Sequence, residues 1–297
     1  SRPTGTLSFA ERMNFLVTNR IPRRALTRFM GWFSRIESPL LARAAIRVWR
    51  LFADDLRLFE AKHQSFTSLQ ACFTRELKPG ARIVDAAADV LVSPCDAEVG
   101  AFGDVDGLTV FQAKGFPYTL DELVGDRRLA ERYRDGRFVT LRLKSSMYHR
   151  FHAPMSGRTG DVLYISGDTW NVNPIALKRV ERLFCRNERA VIELTNGFDV
   201  VLLVPVAAVL VASMRLAGVD VALNLGYRGP NRIPWDRSFG RGEEMGYFEH
   251  GSTIVMLTSR RFRFDDTLVT GRIIRMGNPL MRRAECLALS APGMAGK

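Results

Sequence analysis

The chain has 297 residues, 46% of them hydrophobic and 25% charged, with a formal net charge of +12. That composition excludes intrinsic disorder and supplies enough apolar material for one large core or two smaller ones. The charge calls for an anionic partner and leaves nucleic acid, a membrane surface and an acidic substrate open, while the scattered cysteines Cys72, Cys95, Cys185 and Cys286 form no CxxC pair or disulfide framework and fit a reducing compartment.

The first predicted element lies in "IPRRALTRFMGWFSRIE", where Leu26, Phe29, Met30, Phe33 and Ile36 recur at helical spacing and Arg24, Arg28 and Arg35 fall off that stripe. A second helix starts in "SPLLARAAIRVWRLF", with Ser38 as N-cap and Pro39 in the first turn. It sets Leu41, Ala45, Val48 and Phe52 on one face and Arg43, Arg47 and Arg50 on another. Two readings stay open for this pair: an interfacial anchor on an anionic bilayer, or helices packed on the protein's own core. The N-terminus shows no pattern of a secretory signal. A further helical segment, "SFTSLQACFTREL", follows.

Near Arg82 the pattern changes to short β-like runs: "DVLVSP", "AEVGAF", "LTVFQAK", "RFVTLRLK", "GRTGDVLYIS", "AVIELT", "STIVML" and "RIIRM", punctuated by Gly, Pro, Asn and Asp. One short helix, "TLDELVGD", interrupts them. The run "VVLLVPVAAVLVASM" from Val200 to Met214 is shorter than the ~20 residues a membrane-spanning helix needs and contains Pro205, and its valines predict two successive buried strands. Helices first and strands afterwards predict an α+β protein, with amphipathic helices over residues 1–62 and a largely antiparallel catalytic sheet core over 63–297.

Histidine is scarce, with only His63, His149, His152 and His250. Two of these lie in "SSMYHRFHAPMSG", a His-x-x-His pair with no third ligand pattern, so no metal site is predicted. Asp96 sits in "VSPCDAEVG", a turn between strands. Asp, His and Ser together invite a hydrolase reading, but there is no G-x-S-x-G elbow and no strand–helix alternation. Gly251-Ser252-Thr253 reads locally as a turn into a buried strand. A serine behind an unhindered glycine carbonyl is also placed to attack its own backbone. Nucleic-acid binding would call for a stacking motif or a basic recognition helix, and neither is present.

In order along the chain, "SFTSLQACFTRELKPGARIVD", "VSPCDAEVG", "QAKGFPYTLDELVGD", "YHRFHAP", "GDTWNVNP", "LFCRNERAV" and "EEMGYFEHGSTIV" resemble the phosphatidylserine decarboxylases. The resemblance implies an enzyme with no separate cofactor, whose covalent pyruvoyl group is made from Ser252 when the chain cuts itself after Gly251 into 1–251 and 252–297. It implies that Ser252 attacks the Gly251 carbonyl with His152 as base and Asp96 orienting that base, and that His149 positions substrate or donates a proton. The ketone would take the amine of phosphatidylserine as a Schiff base, carbon dioxide would leave, and phosphatidylethanolamine would be released. Peripheral attachment to the cytoplasmic face of the cell membrane, an anionic bilayer as partner and a homodimer of processed heterodimers are further implications. Two positions depart from the family's pattern: His250 stands where leucine is usual, and Ala97 where glycine is usual, which stiffens the turn holding Asp96. An archaeal-type ether lipid with a serine headgroup is the nearest alternative substrate. A non-catalytic basic membrane-binding module would explain the charge but not the separated motifs.

Overall fold

The computed structural model describes residues 23–53, 56–111, 116–168, 177, 180–207, 213–224, 226–249 and 252–284, with side chains from Phe29 onward. His250, Gly251 and Cys286 lie outside the described residues, as do the side chains of Arg24, Leu26 and Arg28.

Two helices open the described chain, α1 (Arg23–Ser34) and α2 (Pro39–Phe52). The second begins as its sequence dictates: Ser38 Oγ accepts from the Leu41 amide, and Pro39 occupies the first turn, where a missing N–H costs nothing. Its inner face is not the predicted one. Ala42 and Ile46 are buried, joined by Ala45 and Trp49, and they pack with Leu56, Phe66, Leu69, Cys72 and Phe73 in a small cluster. Leu41, Val48 and Phe52 of the predicted stripe face out, beside Leu40 and Leu51. Apolar residues occur on nearly every side of α2, so periodicity could not choose the inner face. The cluster crosses position 62 and ends with the short helix α3 (Leu69–Phe73). Among the described residues no helix is long and apolar enough to cross a membrane.

The larger sheet is built around strand Ser252–Thr258, flanked by Val200–Ala207 on one side and Arg137–Leu143 on the other, with Arg189–Thr195 and Ala97–Asp104 beyond them. All of these ladders are antiparallel, which makes the protein α+β as its element order predicts. All seven residues of the central strand are buried, because both faces are covered. Ile254 and Met256 enter one core with Val201, Leu203 and Leu141, while Val255 and Leu257 enter a second with Leu202 and Val204. Burial on both faces is why these strands read as continuous apolar runs and not as alternation.

Within the valine run, Val200–Ala207 is one strand that includes Pro205, and Ser213–Leu216 starts another at the run's end, with residues 208–212 outside the described residues. Pro205 pairs with Ile254 of the central strand, and the ladder to Arg189–Thr195 skips Val204 and Pro205 before resuming at Val206. That gap suits a residue without an N–H to donate.

A four-stranded sheet, Leu223–Asn224, Ser213–Leu216, Glu244–Phe248 and Arg150–His152, lies on the first of the two cores through Met214, Phe151, Met245 and Phe248. Gly246 permits its close assembly: a Cβ there would fall 2.3 Å from the Arg215 carbonyl oxygen and 2.8 Å from the Phe151 ring. This sheet holds His152 within a strand and His149 just before it.

Candidate active site

Ser252 is the first residue of the central strand, opposite Ala207 on one side and Leu143 on the other. It is 1% exposed, and among the described residues its hydroxyl has no hydrogen-bond partner. The neighbouring Thr253 hydroxyl is buried and unpartnered too. Leaving a buried hydroxyl unpaired costs about 1–3 kcal/mol, so the strand carries unspent hydrogen-bonding capacity where a nucleophile needs it.

Asp96 is completely buried at the turn before strand Ala97–Asp104. Its carboxylate accepts from Arg82 Nε at 2.8 Å, from Arg275 Nη1 at 2.9 Å and from the Met276 amide at 2.9 Å. Arg82 also bonds Glu60 at 2.9 Å, so the aspartate anchors a network between the helical segment and the C-terminal strands. Among the described residues no hydrogen bond joins Asp96 to His152. Burial dominates the pKa of both imidazoles and lowers it; the Asp96 charge favours their protonated form, opposed by Arg75 at His149 and by Arg150 and Arg82 at His152.

His152 is held through both ring nitrogens. Nδ1 lies 2.9 Å from the Gly242 carbonyl oxygen and Nε2 lies 3.0 Å from the Tyr148 hydroxyl. A carbonyl only accepts, so Nδ1 carries the proton; in the neutral ring Nε2 is then the acceptor and Tyr148 must donate. The turn that presents this carbonyl requires glycine: Gly242 has φ +77°, and a Cβ would meet Val84 at 2.7 Å.

His149 is fully buried, and its Nε2 donates to the Ser145 carbonyl oxygen at 3.0 Å, leaving Nδ1 as a buried acceptor without a partner among the described residues. Two backbone connections run from its segment to the strands near Ser252. Ser145 follows Leu143, the register partner of Ser252, by two residues, and the His149 carbonyl accepts from the Phe248 amide, four residues before Ser252. Burial pulls both imidazoles down to about 4, against the hydrogen bonds that the rings donate to backbone carbonyls, which push the other way. Both are therefore neutral near pH 7 and able to accept a proton.

Several partners carried no sequence signal of their own. Arg82, Arg275, Tyr148 and Gly242 act through contacts far apart in sequence or through backbone atoms. Glu249 is another: buried beside the expected cut, it accepts from Arg35 at 2.9 Å and from Gln70 at 2.8 Å, fixing the chain two residues before Gly251 to the helical segment.

A family model described as phosphatidylserine decarboxylase matches residues 69–282. The chain is 36% identical over 277 residues to the phosphatidylserine decarboxylase proenzyme of Vibrio cholerae, covering 89% of this chain and 96% of that one. It is 35% identical over 261 residues to the proenzyme of Myxococcus xanthus, with 86% and 93% covered, and 33% identical over 277 residues to that of Acinetobacter baumannii, with 88% and 94% covered.

Proposed function

We propose that this chain, which belongs to the phosphatidylserine decarboxylase family, removes the serine carboxyl of phosphatidylserine as carbon dioxide and leaves phosphatidylethanolamine, using a group that the chain makes from its own Ser252. The observation that carries this reading is the buried, unpartnered Ser252 hydroxyl at the head of the central strand, directly after Gly251.

In the maturation step, Ser252 Oγ loses its proton to a neutral imidazole and adds to the Gly251 carbonyl, turning the amide into an ester. Loss of the Ser252 α-proton expels the Gly251 carboxylate and leaves a dehydroalanine; hydrolysis releases its nitrogen as ammonia and completes the pyruvoyl group. The residues present fit such a group, since position 252 is buried and free of competing bonds. When formed, the pyruvoyl carbonyl supplies an electrophile and electron sink for the substrate amine. The chain's own contribution is a dry strand end, an aspartate whose charge favours imidazolium, and two histidines neutral at rest.

Peripheral membrane attachment on the cytoplasmic face, and assembly as two processed heterodimers, are part of the same proposal. What supports the former is the outer side of the helical segment, where Trp32, Leu40, Leu51, Phe52 and Phe59 are exposed beside Arg43, Arg47 and Arg50. Anionic vesicles should therefore float wild-type protein, and Leu51→Glu with Phe52→Glu should weaken binding at least about tenfold, because each apolar side chain loses its burial. Equal flotation of both proteins would leave this face without a membrane role.

Carbon dioxide released from carboxyl-labelled phosphatidylserine tests the activity itself, with an ether-linked serine lipid as comparison. Faster turnover of the ether lipid would select the alternative substrate. Processed protein that releases no carbon dioxide from either lipid would sink the proposal.

A further inference from the structure

Between the helical segment and the catalytic sheet lies a cavity of about 240 Å³. Five cationic side chains line it, Arg57, Arg75, Arg82, Lys144 and Arg275, against the carboxylates of Glu60 and Asp96. Among the described residues, four of the five are ion-paired. Glu60 is bonded by Arg57 and Arg82, Asp96 by Arg82 and Arg275, and Lys144 pairs with Glu98. Arg75 is 5% exposed and forms no ion pair among the described residues. Its guanidinium donates to the carbonyls of Cys72, Leu56 and Ser146, and its Nε is buried with no partner among the described residues. A buried guanidinium with no ion pair among the described residues is costly unless an anion completes the site, and burial, with the Arg82 charge, lowers the pKa of Arg75 against the charges of Asp96 and Glu60.

We propose that this cavity is an anion subsite, in which Arg75 receives a phosphodiester or carboxylate oxygen of the serine phospholipid headgroup. The assignment rests on the decarboxylase reading and deepens it. Tyr148 lines the same cavity and donates to His152, so a headgroup seated there lies one side chain from the catalytic histidine. Leu56 and Arg57 line it too, and Leu56 belongs to the cluster that buries the inner face of α2, so the cavity lies beside the helical segment proposed to meet the bilayer. A guanidinium with an unspent N–H suits an oxyanion, and the surplus of positive charge suits a headgroup that is anionic overall.

The test uses the full chain, reading KM and kcat on phosphatidylserine vesicles together with self-cleavage on gels. Arg75→Gln should raise KM by about 10–100-fold, the loss expected for a charged hydrogen bond, with self-cleavage intact. Ile273 lines the cavity at 40% exposure, so Ile273→Glu should raise KM as well, while Ile273→Lys should not. Should Arg75→Gln fail to fold, the Ile273 pair decides alone. Soluble glycerophosphoserine should raise the Tm of wild type but not of Arg75→Gln, and glycerophosphoethanolamine, which lacks the carboxyl, tells phosphodiester from carboxylate recognition. Stabilisation by inorganic phosphate alone would overturn the headgroup assignment, as would an unchanged KM in both Arg75→Gln and Ile273→Glu. A wild-type protein that releases no carbon dioxide would defeat the decarboxylase reading instead, and the Tm arm would still judge the cavity.

Discussion

Ser252→Ala is expected to purify as one uncleaved 297-residue chain that releases no carbon dioxide, while wild type yields 1–251 and a fragment 252–297 with a blocked first residue. The effect should be all or none. No other atom can supply both the nucleophile that adds to the Gly251 carbonyl and the leaving oxygen of the later elimination. Loss of fold would not account for such a result, because the substitution deletes a hydroxyl that makes no hydrogen bond and leaves the strand's apolar packing untouched. The Tm of Ser252→Ala should accordingly equal or exceed that of uncleaved wild type, since an unpaired buried hydroxyl is a cost of about 1–3 kcal/mol. Intact mass decides the question: a single mass in active wild-type protein, or two fragments from Ser252→Ala, would remove Ser252 from the chemistry.

The elements legible in the sequence are those whose signal is local. Strands buried on both faces show as valine and isoleucine runs, and Ser38-Pro39 marks the start of α2 through its own backbone chemistry. The inner face of α2 was not legible, because apolar residues on most of its sides leave tertiary packing to decide. Pro205 sits inside a strand, since a proline costs a strand only the bond on its N–H side. At the site, "YHRFH" and "HGST" carry the reactive side chains in plain view. Their settings are invisible there. The Arg275 that holds Asp96 is 179 residues away, and the group that fixes the His152 tautomer is a backbone carbonyl, which any residue would possess.

The two histidines are expected to separate making the catalytic group from using it. His152→Ala should slow self-cleavage by roughly 10²–10⁴-fold, the usual contribution of a positioned base. His149→Ala should still yield two fragments and a carbonyl reactive toward hydroxylamine, yet turn phosphatidylserine over slowly. Acid should report the same chemistry. Both imidazoles are lowered to about 4, so the base form persists well below pH 6.5 and the acid limb of maturation should have its midpoint near 4. Stability follows the same sign: burying neutral imidazole contributes fully above the unfolded value of about 6.5 and is lost as pH falls toward the folded value. The geometry adds a sharper test, because His152 Nε2 already accepts from Tyr148 while His149 Nδ1 is uncommitted. If Tyr148 relays the serine proton to His152, Tyr148→Phe should slow cleavage as His152→Ala does. If Tyr148 only holds the ring, Tyr148→Phe frees Nε2 and cleavage should proceed at least as fast as in wild type. A His149→Ala chain that stays whole while His152→Ala matures would exchange the two roles and make the unpartnered Nδ1 of His149 the base.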